Sequence, residues 1–145
     1  MRIALLAGGN SSEREIALQS AQQINAALDK EKYDVKVIDV YHRDWHYTAA
    51  DGKQYQFDKT DFSLTVEGER FEFDYALIII HGTPGEDGKL QGYLDIMGIP
   101  YSSCPMVSSV ITFDKISTKR AVATRGIRVA KDIFLYKGDK LSLIH

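Results

Sequence analysis

The sequence predicts an α/β fold: an open, mostly parallel sheet with helices on both faces and a hairpin-like insertion. The first observation is a continuous apolar run, RIALLA at residues 2 to 7, followed by a segment with helical spacing and by an alternating run, YDVKVIDVY at 33 to 41. Strand, helix and strand in that order form a βαβ unit, which has parallel strands and a right-handed crossover. The second is another continuous apolar run, YALIII at 75 to 80. Such runs are typical of strands that are covered on both faces.

The first helix follows the first strand directly. Gly8 and Gly9 end the strand, and Ser12 with Glu15 three residues later matches a capping box. Apolar residues then recur at helical spacing: Ala17, Ala21, Ile24 and Leu28. We therefore predict a helix with Ser12 as its N-cap and Glu13 as its first residue.

The insertion follows the second strand. Residues 42 to 70 are polar and aromatic and contain the turn signals ADGK and VEGE. FSLTV and RFEFD, which flank the second of these turns, alternate like the two strands of a hairpin. We predict that this segment elaborates the sheet.

Helices and strands alternate again in the last third of the chain. GKLQGYLDIMG at 88 to 98 predicts a short helix, and IPYSSC predicts a short strand. A longer helix is predicted from about Met106 to Thr124, because Gly126 is a typical C-terminal signal. The last predicted strand is VAKDIFLY at 129 to 136.

Composition and charge narrow the classes of partner. The 145 residues suit one ordinary domain, and 44% apolar with 26% charged residues is average for a soluble globular protein. A net charge of −2 gives no reason to expect nucleic acid or an anionic membrane, so we predict a small-molecule partner. One cysteine excludes an internal disulfide, and no signal peptide or membrane span of about 20 apolar residues is recognisable. We predict a cytoplasmic protein.

Two glycine-rich strand ends are the candidate sites, since open α/β sheets bind ligands beyond the carboxyl ends of their strands. The first is AGGNSSERE, where Asp39 at the end of the second strand offers an acid for a ribose. The dinucleotide pattern G-x-G-x-x-G is nevertheless absent, which disfavours nicotinamide or flavin binding. Glu15 fits a capping role. A carboxylate of Glu13 at the positive end of the helix stays ionised and suits an ammonium group.

The second strand end is HGTPGEDG, residues 81 to 88. His81 is a functional candidate, although a histidine ending a buried strand can also be a satisfied core residue. The three glycines constrain this turn more than an ordinary strand-to-helix connection requires, which favours close backbone approach to a ligand. Glu86 and Asp87 are either ligand-facing acids or first-turn acids of the next helix, and the residues alone leave both open.

A basic cluster occurs in TFDKISTKR, residues 112 to 120. Lys115, Lys119 and Arg120 on a helix favour a solvated face over a phosphate site when they are taken alone.

Three segments together resemble a known family. LLAGGNSSEREIALQSA, HGTPGEDGKLQGYLDIMGIPYSSC and TFDKISTKRAVATRGI, in that order, are similar to the N-terminal domain of bacterial D-alanine–D-alanine ligases, members of the ATP-grasp superfamily. Nearly the whole chain is covered, and residues 42 to 70 are the least typical. The resemblance implies a Rossmann-like, pre-ATP-grasp substrate domain over residues 1 to 125. It also implies that residues 126 to 145 begin the central ATP-grasp domain.

The resemblance implies a reaction and its cofactors. ATP phosphorylates the carboxylate of a first D-alanine, the amine of a second D-alanine attacks the acyl phosphate, and D-alanyl-D-alanine, ADP and phosphate are released for peptidoglycan synthesis. Magnesium ions bridge the phosphates, and their ligands lie in parts of the family proteins that this chain does not contain. Family members are considerably longer, so we expect no ligase activity from these 145 residues alone. A homodimer is also implied.

The resemblance also assigns residues. Glu13 is implied to hold the ammonium group of the first D-alanine, with His81 beside it. Ser12 and Gly82 belong to the turns that shape this subsite, as does Gly9, and Lys115 is implied to reach the phosphates of ATP. Two alternatives stay open: a D-alanine–D-lactate or D-serine ligase, and a non-catalytic Rossmann-type module that binds a small molecule.

Overall fold

Seven strands and four helices make up the computed structural model, which describes residues 1–133 and 135–138. The strands are β1 (Arg2–Gly8), β2 (Asp34–Tyr41), β3 (Asp44–Thr48), β4 (Gln54–Asp58), β5 (Ser63–Val66), β6 (Glu69–Glu72) and β7 (Tyr75–Ile78). The helices are α1 (Arg14–Ala27), α2 (Lys89–Met97), α3 (Met106–Phe113) and α4 (Lys115–Ala123).

All seven strands join one sheet in the order β6-β5-β4-β3-β2-β1-β7. The α/β class and the βαβ unit are confirmed, because β1 pairs in parallel with both β2 and β7. The parallel part is smaller than the sequence suggested, since the pairings from β2 to β6 are all antiparallel. The insertion causes this difference: its connections are short, and a short connection can only return the chain as an antiparallel neighbour.

The sheet curls on itself. β6 and β7 lie at opposite ends of the strand order, yet only residues 73 and 74 separate them in sequence. A connection of that length spans about 10 Å at most, so the two ends of the sheet must approach each other. Within this connection Asp74 is tied to β1, because its carboxylate accepts from the Arg2 amide at 2.7 Å and its own amide donates to the Arg2 carbonyl at 2.9 Å.

Helices cover both faces of the sheet, as predicted. On one face α1 packs Ala21 against Leu5 and Ala7 of β1. The other face lies inside the curl, where α2 supplies Leu90 and Leu94 to a core rich in aromatic side chains: Trp45, Phe57 and Phe62 from the insertion, and Phe73 just after it. The insertion therefore contributes buried side chains to the core rather than only covering an edge.

The start of α1 corrects the predicted capping box. The helix begins at Arg14, Glu13 is its N-cap, and no side-chain hydrogen bond of Ser12 is present within residues 1–133 and 135–138. No side chain caps the helix, and Ser11 rather than Ser12 bonds beside its start, because Ser11 Oγ accepts from the Glu13 amide at 3.2 Å. Gly9 has φ +94°, and this turn brings Ser11 rather than Ser12 against the end of the helix.

The predicted helix from Met106 to Thr124 is two helices. Asp114 interrupts it with an extended backbone, φ −88° and ψ 113°, and its carboxylate accepts from the Ser117 amide at 2.7 Å. Aspartate competes for nearby amides in this way and therefore begins a new helix.

Strand predictions near the C-terminus were wrong or incomplete. IPYSSC contributes one isolated parallel bridge between Tyr101 and Ala76. Within the predicted strand at 129 to 136, Phe134 lies outside the described residues, and the other seven form no strand. An extended segment becomes a strand only when a neighbour pairs with it, and no described strand does so here. β3 and β4 were missed because their alternation is short and largely polar.

Candidate functional site

The two glycine-rich strand ends lie against each other. β1 and β7 are parallel neighbours, so their carboxyl ends meet at one edge of the sheet. The Asn10 amide donates to the Thr83 carbonyl at 2.9 Å, and the Ser11 hydroxyl donates to the His81 carbonyl at 2.8 Å. We call these segments, residues 8–13 and 81–88, the first and second loops.

Glycine permits this close approach at two positions. Gly9 has φ +94°, and a Cβ there would lie 2.5 Å from Ile80 Cγ2. Gly82 has φ +76°, and a Cβ there would lie 3.1 Å from the Cβ of Ser11. Both positions therefore combine a left-handed backbone with a neighbour that leaves little or no room for a side chain.

Glu13 and His81 face each other across the loops. His81 Nδ1 lies 3.9 Å from Glu13 Oε2, and the two side chains are 46% and 58% exposed. Glu13 is the N-cap residue of α1, so its side chain lies at the positive end of the helix dipole. The pair presents a carboxylate that can bind an ammonium group, next to an imidazole that can donate or accept a hydrogen bond.

Glu86 and Asp87 hold the second loop in shape. Glu86 Oε2 accepts from the Gly82 amide at 2.6 Å. Asp87 forms an ion pair with Lys89. Burial opposes ionisation of Asp87, but hydrogen bonds from Lys89 and Thr83 outweigh it and hold its pKa below the usual value. Neither acid is a first-turn acid of α2, which begins at Lys89, so that alternative was wrong.

Gln91 supports the second loop from α2, a role that the sequence analysis missed. Its side chain is fully buried, and Nε2 donates to the Gly85 carbonyl at 2.6 Å and to Ser103 Oγ at 2.8 Å. A buried amide on an otherwise apolar helix face is the signal that could have identified it.

Asp39 is bound by Arg14. Arg14 Nη2 lies 2.6 Å from Asp39 Oδ2, Nη1 donates to the Val40 carbonyl at 3.3 Å, and the guanidinium lies 4.6 Å from the centre of the Tyr41 ring. The hydrogen bond with Asp39 raises the pKa of Arg14. The acid that a dinucleotide ribose would need thus ties β2 to α1.

Lys115 is exposed at the first position of α4. Among the described residues, no hydrogen bond or ion pair joins it to Glu13 or His81. Lys119 is engaged elsewhere, since its Nζ lies 2.6 Å from Asp132 Oδ1.

Membrane-spanning helices and metal-binding clusters are both absent from the described part of the chain. No helix there is long and apolar enough to cross a membrane. Residues 1–133 and 135–138 also contain no group of three His, Cys, Asp or Glu side chains arranged to hold a metal ion.

Comparison with known proteins places this arrangement in a family. Residues 2–104 match the family model described as the D-ala D-ala ligase N-terminus. The D-alanine–D-alanine ligase of Phocaeicola vulgatus is 44% identical over 140 residues, which are 97% of this chain and 43% of that protein. The chain thus spans less than half the length of this curated relative.

Solved structures share the fold. D-alanyl-alanine synthetase A from Vibrio cholerae aligns with a TM-score of 0.84 at 30% identity, covering 99% of this chain and 43% of that one. A D-alanine–D-alanine ligase from Bacillus anthracis complexed with ATP aligns with a TM-score of 0.72 at 34% identity, covering 97% and 42%. With the family model matching most of its length, this chain belongs to the D-alanine–D-alanine ligase family, of which it forms the N-terminal domain.

Proposed function

We propose that the parent protein of this chain is an ATP-dependent D-alanine–D-alanine ligase and that these residues bind the first D-alanine. The observation that carries the proposal is the pair of Glu13 and His81, 3.9 Å apart on two loops that are bonded to each other. The family to which the chain belongs supports the reaction class.

In this reaction the γ-phosphoryl group of ATP passes to the carboxylate of the first D-alanine. The amine of the second D-alanine then attacks the acyl carbon, loses a proton, and displaces phosphate. The carboxylate of Glu13 holds the ammonium group of the first substrate, and His81 orients that substrate from the other loop. Gly82 lets the second loop approach the substrate closely, and Ser12, exposed beside Glu13, contacts it.

ATP and Mg²⁺ are the proposed cofactors. Mg²⁺ would offset the charge that develops on the phosphates. The described residues do not fit a magnesium site, because they offer no cluster of three acidic or histidine side chains, and we assign no Mg²⁺ ligand among them. Lys115, free of ion pairs among the described residues and exposed on α4, is proposed to reach the phosphates of ATP. We place residues 1–125 in the substrate domain and residues 126–145 at the start of the ATP-grasp domain.

A homodimer in the cytoplasm is proposed as the working form. α3 exposes four large apolar side chains, with exposed fractions from 39% to 62%: Met106, Val107, Val110 and Phe113. An exposed apolar patch of this kind favours association. Sedimentation of the chain at high concentration tests it, and a strict monomer whose behaviour is unchanged by Val107→Glu contradicts it.

The proposed function is tested by ATP-dependent phosphate release from the full-length parent protein. D-alanine should stimulate release, and Glu13→Gln and His81→Ala should each raise the concentration of D-alanine that is required. Glu31→Gln, a matched change in the exposed turn after α1, should leave the rate unchanged.

Other outcomes distinguish the alternatives. If D-lactate or D-serine replaces the second D-alanine efficiently, the ligase reaction stands but the product is different. If D-alanine has no effect while the 145-residue chain alone binds a nucleotide or an amino acid tightly, the chain is a binding module and the ligase proposal fails.

A further inference from the structure

We propose that the Ser11 hydroxyl is a positioning group that fixes Glu13 relative to His81. It thereby sets the affinity of the site for the ammonium group of its amino-acid substrate, a consequence that rests on the proposed function. Ser11 lies two residues before Glu13 and is itself not placed against the substrate.

One hydroxyl joins the two loops. Ser11 Oγ donates to the His81 carbonyl at 2.8 Å and accepts from the Glu13 amide at 3.2 Å. A serine hydroxyl carries one proton and two lone pairs, so it can make both bonds at the same time. The two bonds therefore reach the backbone of the very residues whose side chains form the candidate pair.

The strands alone do not hold these residues together. Just past the end of β7, the Ile79 amide donates to the Leu6 carbonyl of β1 at 2.9 Å. Beyond it, the bond from the Asn10 amide to the Thr83 carbonyl joins the loops through the main chain. Between described residues, the hydrogen bond of Ser11 to His81 is the side-chain bond that connects the first loop to the second.

The surroundings of Ser11 hold it in place. A Cβ at Gly82 would lie 3.1 Å from the Ser11 Cβ, so glycine at that position lets the serine sit against the second loop. Glu86 fixes Gly82 in turn, because its Oε2 accepts from the Gly82 amide at 2.6 Å. The bonds thus run from Glu86 through Gly82 and the backbone of His81 to Ser11 and Glu13.

Loss of the hydroxyl should act on substrate binding. Glu13 and His81 are 58% and 46% exposed, so no packing against a buried core holds their side chains at 3.9 Å. Without Ser11 Oγ the Asn10–Thr83 bond still joins the loops, but the backbones of Glu13 and His81 lose their direct link, and the carboxylate spends less time where the ammonium group needs it. We expect Ser11→Ala to raise KM for D-alanine about five- to tenfold, the effect of losing one hydrogen bond, with kcat changed less than twofold.

The proposal that the Ser11 hydroxyl joins the two loops is tested on the 145-residue chain by NMR. Ser11→Ala should shift the amide signals of Glu13 and Gly82 and speed hydrogen exchange at the Glu13 amide. The matched control is Ser20→Ala, which removes a hydroxyl that donates to the Ile16 carbonyl at 2.8 Å within α1. Unchanged Glu13 and Gly82 signals in Ser11→Ala would overturn the proposal.

The proposed effect of Ser11 on substrate affinity is tested in the full-length parent by combining Ser11→Ala with Glu13→Gln. If Ser11 acts through Glu13, Ser11→Ala with Glu13→Gln should have the same KM as Glu13→Gln alone. If the increases in KM of the two single variants multiply in the double variant, Ser11 acts independently of Glu13 and the proposal is wrong. It is also wrong if Ser11→Ala has the same KM as Ser20→Ala. If D-alanine does not stimulate phosphate release in the unmodified parent, the proposed function fails, and the NMR experiment still decides whether Ser11 joins the loops.

Discussion

Gly9 and Gly52 share a backbone conformation but differ in their surroundings. Their φ angles are +94° and +85°, yet a Cβ at Gly9 would lie 2.5 Å from Ile80 Cγ2 while a Cβ at Gly52 would have nothing within 4 Å. Ile80 is buried and branched at Cβ, so its methyl group cannot swing away freely. The first loop therefore needs glycine for space as well as for conformation.

Alanine substitutions at these two positions separate the effects. Gly52→Ala should lower the free energy of unfolding by about 1 kcal/mol, since only a left-handed backbone is imposed on alanine. Gly9→Ala should cost roughly 1–3 kcal/mol more, because it also overpacks a buried contact. Urea denaturation of the two variants measures the difference, and equal losses would contradict the contact at Ile80.

Tyr93 should make the fold sensitive to alkali. Burial, followed by the nearby charges of Asp58 and Asp61, raises the pKa of its phenol to about 12 from 10.0, and its hydroxyl donates to the Lys59 carbonyl at 2.8 Å. Because the pKa of Tyr93 is higher in the folded state than in the unfolded state, the neutral phenol stabilises the fold. This stability is complete below pH 10.0 and is lost as the pH rises towards 12.

Absorbance near 295 nm checks this expectation. The chain has eight tyrosines, and Tyr93→Phe should remove amplitude from the latest-titrating step and from no earlier one. A loss of amplitude at the ordinary tyrosine pKa would show that Tyr93 is not held in its neutral form.

Among the elements, the break between α3 and α4 depends on one carboxylate. Hydrogen bonding from Ser117 lowers the pKa of Asp114 below its usual 3.8. Because the pKa of Asp114 is lower in the folded state than in the unfolded state, its ionised carboxylate stabilises the fold above pH 3.8. This stability is lost as the pH falls through the pKa that Asp114 has in the folded state. Asp114→Ala should therefore reduce the helicity of α4 at neutral pH. Asp114→Asn should retain the cap and remove its acid sensitivity, because an amide oxygen also accepts from the Ser117 amide.

Circular dichroism and the NMR signal of the Ser117 amide measure both variants. Glu31→Ala, which removes an exposed carboxylate from the turn after α1, controls for the change of charge. If Asp114→Ala and Glu31→Ala behave alike, the cap does not begin α4.

The insertion shows which strands local sequence patterns can predict and which they cannot. The hairpin of β5 and β6 was predictable, since Glu67 and Gly68 form its turn with φ +50° and +85°, the conformation that a two-residue hairpin turn requires. β3 and β4 were not, although Trp45 and Phe57 lie on them and pack with ring centres 5.8 Å apart. Their inward residues are flanked by polar ones over only five positions each, too short a run for alternation to stand out.

At the scale of the whole molecule, the residues that the structure describes leave the candidate pair about half exposed. Glu13 and His81 are 58% and 46% exposed, and the chain covers 43% of a relative that is 44% identical to it. Catalysis of this kind needs a site that surrounds the reacting groups and excludes water. We therefore expect the 145-residue chain to form no dipeptide with ATP and D-alanine, while the full-length parent does. Chromatographic detection of D-alanyl-D-alanine measures both, and ATP-dependent product from the chain alone would contradict the expectation.

The sequence by itself determined the order of strands and helices around β1, the two glycine-rich loops, and the candidates Glu13 and His81. These features depend on neighbours within a few residues, and parallel strands bring their carboxyl ends to one edge wherever they pair. Only the tertiary structure decided that Ser11 rather than Ser12 serves the first loop, that Arg14 binds Asp39, and that the sheet curls. The bond from Ser11 to His81 spans 70 positions and that from Arg14 to Asp39 spans 25. Such bonds are set by the register of β1 against its neighbours, which no local spacing encodes.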